Sequence, residues 1–388
     1  MRRGYWARSA CAYTLPLVRV AVDTSVVDRT VGGPATYTRE LVAALRRVAP
    51  EVDYLEFRHR SLIGRASAAR RRLDGAQREL WWLPRRLARL AVRQRADVLH
   101  GPSQSIPVAA NLPLVVTMYD MYIERDPAAF PRWQVALSNR YQGRMLSRAD
   151  AVIAISEFTK QELLRCFPKL PAGKITVTHL GVSPDFRPLD PREVAERLAR
   201  YRVRRPYLLS VCTLEPRKNL RRLVSAFARV ADAMPHDLVL VGEAGRETDG
   251  LLEHIRALGL ADRVTITGPV PGEELPWLYN AASMFVYVPL YEGFGLPPLE
   301  AMACGTPVVT SRGSALDETA GSAAVRVDAL DTQAIADAIR LVAQDEAVAR
   351  DLSARGSAWA QRFSWDRCAH ETLSVYRSAI AAWHGRVA

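Results

Sequence analysis

The sequence predicts an α/β protein built from two halves, each a parallel sheet wound with helices. Short apolar runs alternate with helical patterns along most of the chain, the rhythm of repeated strand–helix–strand units. That rhythm is interrupted once, at 183–205, by Pro184, Pro188, Pro191 and the basic cluster Arg202, Arg204, Arg205, which reads as a linker holding one short helix. With 388 residues, 49% of them hydrophobic, the chain can fill two separate cores.

The first half offers strands at 18–22, 52–57, 98–99, 114–117, 151–155 and 175–177. The second offers them at 207–212, 238–241, 264–267, 284–288, 307–310 and 324–327. Helical patterns such as 219–233 and 332–344 separate most of these, and a last one, 366–383, follows Trp359, Phe363 and Trp365. Residues 1–16 carry an apolar patch too weak for a signal-peptide core and are expected to be a disordered extension. The expected units are therefore 17–183, a linker 184–205, 206–365 and a C-terminal helix 366–388.

Composition narrows the chemistry. The five cysteines, Cys11, Cys166, Cys212, Cys304 and Cys368, are scattered without CxxC spacing, so a reducing cytoplasm is expected rather than a disulfide framework or zinc site. No apolar run reaches the length of a spanning helix. A net charge of +12 favours acidic partners. Much of it lies between Arg58 and Arg95, where twelve arginines stand against Asp74 and Glu79. Around Trp81 they interleave with aromatic and aliphatic residues at helical spacing. That pattern suits an interfacial helix on anionic lipid or a soluble amphipathic helix with a basic face.

Five segments carry the candidate chemistry. The first is Tyr291-Glu-Gly-Phe-Gly-Leu-Pro-Pro-Leu-Glu-Ala-Met-Ala-Cys-Gly-Thr-Pro. It reads as a glycine loop followed by a helix near 296–303. Gly293 and Gly295 permit close backbone approach, Pro297 and Pro298 suit a first helical turn, and that turn's N–H groups form an anion site. Glu292 lies before the helix and Glu300 one turn inside it, so the two carboxylates reach different parts of one extended ligand. The second is Leu208-Leu-Ser-Val-Cys-Thr-Leu-Glu-Pro-Arg-Lys-Asn, where Arg217 and Lys218 stand beside a helix start and can neutralise a leaving anion. The third is Thr30-Val-Gly-Gly-Pro, with Gly32 and Gly33 opening a helix. The fourth comprises the strand ends at His100 and Tyr119-Asp120, on the side where open α/β sheets bind ligands. The fifth is Ile155-Ser-Glu-Phe-Thr, where Ser156 reads as a helix cap.

The first segment resembles the donor-site signature of glycosyltransferase family 4, and the resemblance extends from about Val18 to Phe363. It implies the retaining GT-B fold: two facing Rossmann-like domains, with the C-terminal helix packing back toward the first. It also implies a nucleoside-diphosphate-sugar donor and no metal or cofactor. By that resemblance Glu292 holds sugar hydroxyls, and Gly293, Phe294, Gly295 and Leu296 hold sugar and phosphate. Glu300 then takes the ribose, Val270 lines the base pocket, and Gly32 and Gly33 lie near the pyrophosphate. Lys218 matches the family's phosphate lysine, whereas Thr213 stands where relatives carry an arginine. Tyr119 stands where many carry a histidine. The Thr-Leu-Glu-Pro-Arg-Lys-Asn version resembles mannosyl- and rhamnosyl-type transferases, which favours GDP-mannose or a dTDP-deoxyhexose over a UDP-sugar. His100, Tyr119 and Ser156 are expected at the donor–acceptor cleft, and Asp120 joins Lys218, Glu292 and Arg217 as a catalytic candidate, an acceptor-side or orienting carboxylate.

The expected acceptor is a glycan, a lipid-linked oligosaccharide or a small molecule, with peripheral contact to the inner face of the plasma membrane near Trp81 and no nucleic-acid partner. Asp-x-Asp, HExxH, GxxxxGK and GxGxxG are absent, which counts against GT-A, zinc, P-loop and dehydrogenase chemistry. A nucleotide-sugar 2-epimerase and a non-catalytic nucleotide or nucleic-acid binder remain as rivals.

Overall fold

The computed structural model describes residues 18–28, 32–59, 78–201 and 203–387. The expected extension at 1–16 and the arginines at 60, 65, 70, 71 and 72 lie outside the described residues. The first sheet comprises β1 Arg19–Asp23, β2 Asp53–Phe57, β3 Val98–Gly101, β4 Leu114–Met118, β5 Ala151–Ala154 and β6 Ile175–Val177, in the order β2-β1-β3-β4-β5-β6. The second comprises β7 Tyr207–Val211, β8 Asp237–Val241, β9 Val264–Gly268, β10 Met284–Tyr287, β11 Val308–Ser311 and β12 Val325–Val327, in the order β12-β11-β10-β7-β8-β9. The strand pairs in both are parallel. All twelve strand expectations are met within a residue or two. Strands such as β4, β8 and β10 are buried along their whole length, so they read in sequence as unbroken apolar runs.

The helices of the first half are α1 Gly33–Val48, α2 Ala88–Arg93, α3 Tyr122–Arg125, α4 Arg132–Arg148 and α5 Glu157–Cys166. A wider, π-type helix at Arg78–Leu87 runs into α2 and turns Trp82, Leu83 and Leu87 inward. After α6 Pro191–Leu198 in the linker come α7 Leu220–Ala228, α8 Thr248–Ala257, α9 Leu275–Ala281, α10 Leu296–Ala303, α11 Leu316–Thr319, α12 Thr332–Gln344, α13 Glu346–Ala360 and α14 Trp365–Val387.

The sequence pattern gave no sign of α13. Its start is fixed by Asp345, whose carboxylate accepts from Ala347 N at 2.9 Å and Val348 N at 3.1 Å. α14 leaves the second half and packs on α1, β3, β4 and β5, as the expected fold requires. Arg47 on α1 pairs with Asp366 there. One core lies between α1, α14 and one face of the first sheet and continues into the second half. Another holds the opposite face of the first sheet against the Arg78–Leu87 helix, α2 and α4.

The strand orders reverse between β1 and β3 and between β7 and β10. In open parallel sheets the crevice beyond the carboxyl ends at such a reversal binds ligands. Among the described residues no helix is long and apolar enough to cross a membrane.

Candidate active site

At the second reversal, the loops after β7 and β10 meet. A single 3-10 turn, Pro216–Lys218, follows β7 and ends at Asn219, which adopts left-handed backbone with φ 60°. The Asn219 amide donates to Val288 O at 2.9 Å and Ala329 O at 2.8 Å, while Leu290 N donates to Arg217 O at 2.8 Å. These bonds aim both cations at the loop after β10. Lys218 Nζ donates to the Tyr287 hydroxyl at 2.7 Å and is ion-paired with Glu292. Arg217 donates to the same Glu292 oxygen at 3.0 Å and to Tyr291 O at 3.3 Å. The Tyr287 hydroxyl donates to Glu292 at 2.7 Å. Burial pushes the Glu292 pKa up, but Lys218 and then Arg217 outweigh it, and the net displacement is downward. An ionised carboxylate therefore sits between two cations and a tyrosine in a nearly dry crevice.

The glycine loop continues this site into a helix start. Gly295 has φ 93° and caps α10 without a side-chain hydrogen bond; since Pro297 and Pro298 carry no N–H, the helix start offers an anion the N–H groups of Gly295 and Leu296. One turn in, Glu300 accepts from the Tyr279 hydroxyl at 2.9 Å, and burial raises its pKa to about 7. Gly293 presses on the first half. A Cβ there would fall 1.8 Å from the Tyr119 carbonyl oxygen. The Ser156 and Thr159 hydroxyls donate to Gly293 O at 2.7 and 3.1 Å, and Met121 N donates to the Tyr291 hydroxyl at 3.0 Å.

From the first half, the structure brings Asp120 to this cluster. Burial raises its pKa while Arg217 lowers it, and the net displacement is upward. Its carboxylate accepts from Tyr122 N at 3.2 Å, and the Tyr122 ring lies 5.7 Å from the Arg217 guanidinium. Ser156 caps α5, as the sequence indicates, and also reaches Gly293. Phe294 is buried against His179 and Phe363, so only its backbone faces the loop. Leu296 and Val270 are half-buried, Val270 just beyond β9. Gly32 and Gly33 are exposed at the α1 start with open space around them, and Thr213 is exposed in the loop after β7.

Two expectations for cleft residues are corrected. His100 is fully buried, its ring nitrogens 2.7 Å from the Tyr376 hydroxyl and 2.8 Å from Thr117, and desolvation lowers its pKa to about 3. It is a core residue because α14 closes over the end of β3. The Tyr119 side chain turns inward as well, donating to Pro102 O and meeting Tyr37 edge-on at 5.5 Å. Only its carbonyl faces the second half.

Sequence reasoning missed Tyr287, Tyr279, Tyr122 and Glu318. The Glu318 carboxylate accepts from Glu157 N at 2.9 Å, holding α11 against the start of α5. The available signal for Tyr287 was a hydroxyl ending an otherwise apolar strand, Met284-Phe-Val-Tyr.

The chain is similar to known proteins in both sequence and fold. The family model for Glycosyltransferase Family 4 matches residues 31–186, and that for Glycosyl transferases group 1 matches 197–359. The O-antigen chain mannosyltransferase B of Escherichia coli is 36% identical over 298 residues, covering 76% of this chain and 77% of that protein. Serotype-specific mannosyltransferase WbdA of Escherichia coli is 30% identical over 59% of this chain, but the match spans only 29% of that longer protein. Sucrose-phosphate synthase from Thermosynechococcus elongatus superposes with a TM-score of 0.74 at 24% identity, over 94% of this chain and all of that one. Anabaena Alr3699/HepE, in complex with UDP and glucose, gives 0.69 at 21%, over 92% and 99%. These two likenesses concern the fold, which is GT-B. With two matched halves, two facing Rossmann-like domains and a relative of this similarity, the chain belongs to glycosyltransferase family 4 and is a glycosyltransferase.

Proposed function

We propose that this glycosyltransferase moves a hexosyl group, with retention, from a nucleoside-diphosphate sugar to a hydroxyl of a glycan, glycolipid or natural product. The observation that supports this most is the convergence of Lys218 and Arg217 on Glu292 beside the uncapped start of α10. When donor enters, the two cations and the backbone N–H groups of Gly295 and Leu296 stabilise the departing diphosphate, a role a metal fills elsewhere. Arg217 supplies the second charge that Thr213 lacks. Glu292 and Asp120 hold sugar hydroxyls, and the backbone of Gly293, Phe294, Gly295 and Leu296 cradles sugar and phosphate. Glu300 takes the ribose and Val270 the base, while Gly32 and Gly33 approach the pyrophosphate from the acceptor half.

Among the described residues no side chain at the site stands out as a nucleophile for a covalent intermediate, which favours attack and departure on one face of the sugar. The bond from the anomeric carbon to the diphosphate oxygen breaks as the acceptor oxygen bonds that carbon. The acceptor proton passes to the departing diphosphate. The mannosyltransferase relatives and the sequence after β7 favour GDP-mannose or a dTDP-deoxyhexose as donor, ahead of a UDP-sugar. A membrane-presented acceptor fits the basic helix at Trp81, which is 43% exposed with the Arg86 guanidinium 5.6 Å above its ring.

A thermal-shift panel of nucleotide sugars tests the donor, since a ligand bound only by the folded state raises its stability by mass action. The reading requires a clear shift with one or more nucleotide sugars, and no shift with any would contradict it. Product anomer analysis tests retention.

A further inference from the structure

Helix α4, Arg132–Arg148, has an outer face that nothing among the described residues covers. Trp133 is 67% exposed and Leu137 61%, among the most exposed large apolar side chains of the described residues. At about 100° per residue, Trp133, Leu137, Arg140 and Arg144 fall within an arc of about 60°. All four are exposed. The helix carries four arginines and no Asp or Glu. Among the described residues, Arg132, Arg140 and Arg144 have no carboxylate partner. Only Met145 and Leu146 are buried, so core packing does not account for the tryptophan.

The position of α4 matters as much as its composition. It begins two residues after Phe130, whose ring lies 5.6 Å from Tyr122. Tyr122 in turn lies 5.5 Å from Tyr291 and 5.7 Å from the Arg217 guanidinium. Arg246 of the second half approaches the same Phe130 at 5.7 Å and donates to Ala129 O at 3.4 Å. The exposed end of α4 therefore marks the mouth of the interdomain cleft. The Arg-rich helix at Arg78–Leu87 packs on the same core as α4.

We infer that α4 docks the protein on an anionic lipid surface. Trp133 and Leu137 enter the headgroup–acyl boundary, and Arg132, Arg140 and Arg144 meet the lipid phosphates. The cleft then opens toward the bilayer. This deepens the proposed membrane-presented acceptor and rests on that reading for its purpose, but it is testable without any acceptor.

The test is sedimentation of the full chain with vesicles of phosphatidylcholine alone or mixed with phosphatidylglycerol. W133S/L137S, R140E/R144E and W81S are run beside the wild type, and melting temperatures confirm folding. The wild type should bind only the mixed vesicles and leave them as salt is raised. Both α4 variants should lose at least tenfold, R140E/R144E because each basic residue near such a surface contributes about fivefold in affinity, and W133S/L137S because the helix loses the apolar area it buries in the interface. Their release of nucleoside diphosphate from the donor in vesicle-free solution should match the wild type. Wild-type-like vesicle binding by the α4 variants overturns the assignment, whether or not W81S binds. So does wild-type binding indifferent to lipid charge, or loss of vesicle-free turnover in both α4 variants. A wild type that binds vesicles yet releases no diphosphate from any nucleotide sugar would instead overturn the transfer reading and leave the docking surface standing.

Discussion

The Tyr287 hydroxyl donates to Glu292 across 2.7 Å while receiving a hydrogen bond from Lys218 at the same distance. It is a neutral hydroxyl bonded to both charges, and it holds the ammonium and the carboxylate in fixed relation. Removing only that oxygen, in Y287F, should lower kcat about tenfold with little change in donor KM. The stability cost should be about 1 kcal/mol, the loss of a hydrogen-bonding group. Steady-state kinetics and thermal melting check both; an unchanged kcat would remove Tyr287 from the account.

Glu292 is ion-paired with the same two cations, Arg217 and Lys218, that the proposal assigns to the donor diphosphate. E292Q should therefore raise affinity for the free nucleoside diphosphate, by roughly fivefold or more, because an anionic competitor is gone. Transfer should fall at the same time, since the sugar loses its carboxylate. Calorimetric titration with the diphosphate measures the first effect, and weaker binding by E292Q would contradict it.

Glu300 makes stability pH-dependent with a definite sign. Burial raises its pKa from the ordinary 4.5 to about 7. The folded state holds the proton more tightly than the unfolded state. This contribution is fully present below the unfolded pKa and is lost as pH rises through the folded one. Relative to the wild type, E300Q should gain melting temperature between about pH 5 and about pH 8. Parallel melting curves across that range would show that Glu300 is not shifted.

His100 has the opposite dependence. Its pKa drops to about 3, so its stability contribution is present above the unfolded value of 6.5 and is lost as pH falls toward the folded one. H100A should cost about 2 kcal/mol by opening a buried cavity and leaving the Tyr376 hydroxyl without His100, whereas Thr117 keeps the Tyr37 hydroxyl at 3.0 Å. At temperatures where the variant is folded, kcat/KM should stay near wild type. A large kinetic loss without destabilisation would return His100 to the cleft.

How far the sequence could be read follows from what each residue's role depends on. Buried parallel strands declare themselves as apolar runs, and the segment Glu292–Glu300 declares itself because glycines, prolines and carboxylates fall within one loop–helix unit. Arg217 was visible but its direction was not. That depends on Asn219 in left-handed backbone, tied to loops about 70 and 110 residues away by sequence. His100 and Tyr119 look like cleft residues because they sit at strand ends. Their inward rotation is set by α1 and α14, from opposite ends of the chain. Tyr287 and Tyr279 resemble core aromatics in sequence, and only the fold shows their hydroxyls on Glu292 and Glu300. The wide helix at Arg78–Leu87 and the exposed face of α4 are likewise tertiary facts.

The central claim is that Lys218, steadied by Tyr287 and paired with Glu292, acts on the departing diphosphate. The most direct measurement is kcat at saturating donor for K218A, set beside its donor Kd from calorimetry. The account predicts a kcat about a hundredfold lower or more, with Kd weakened less than about tenfold. Equal losses in kcat and Kd, or no loss in either, would contradict it.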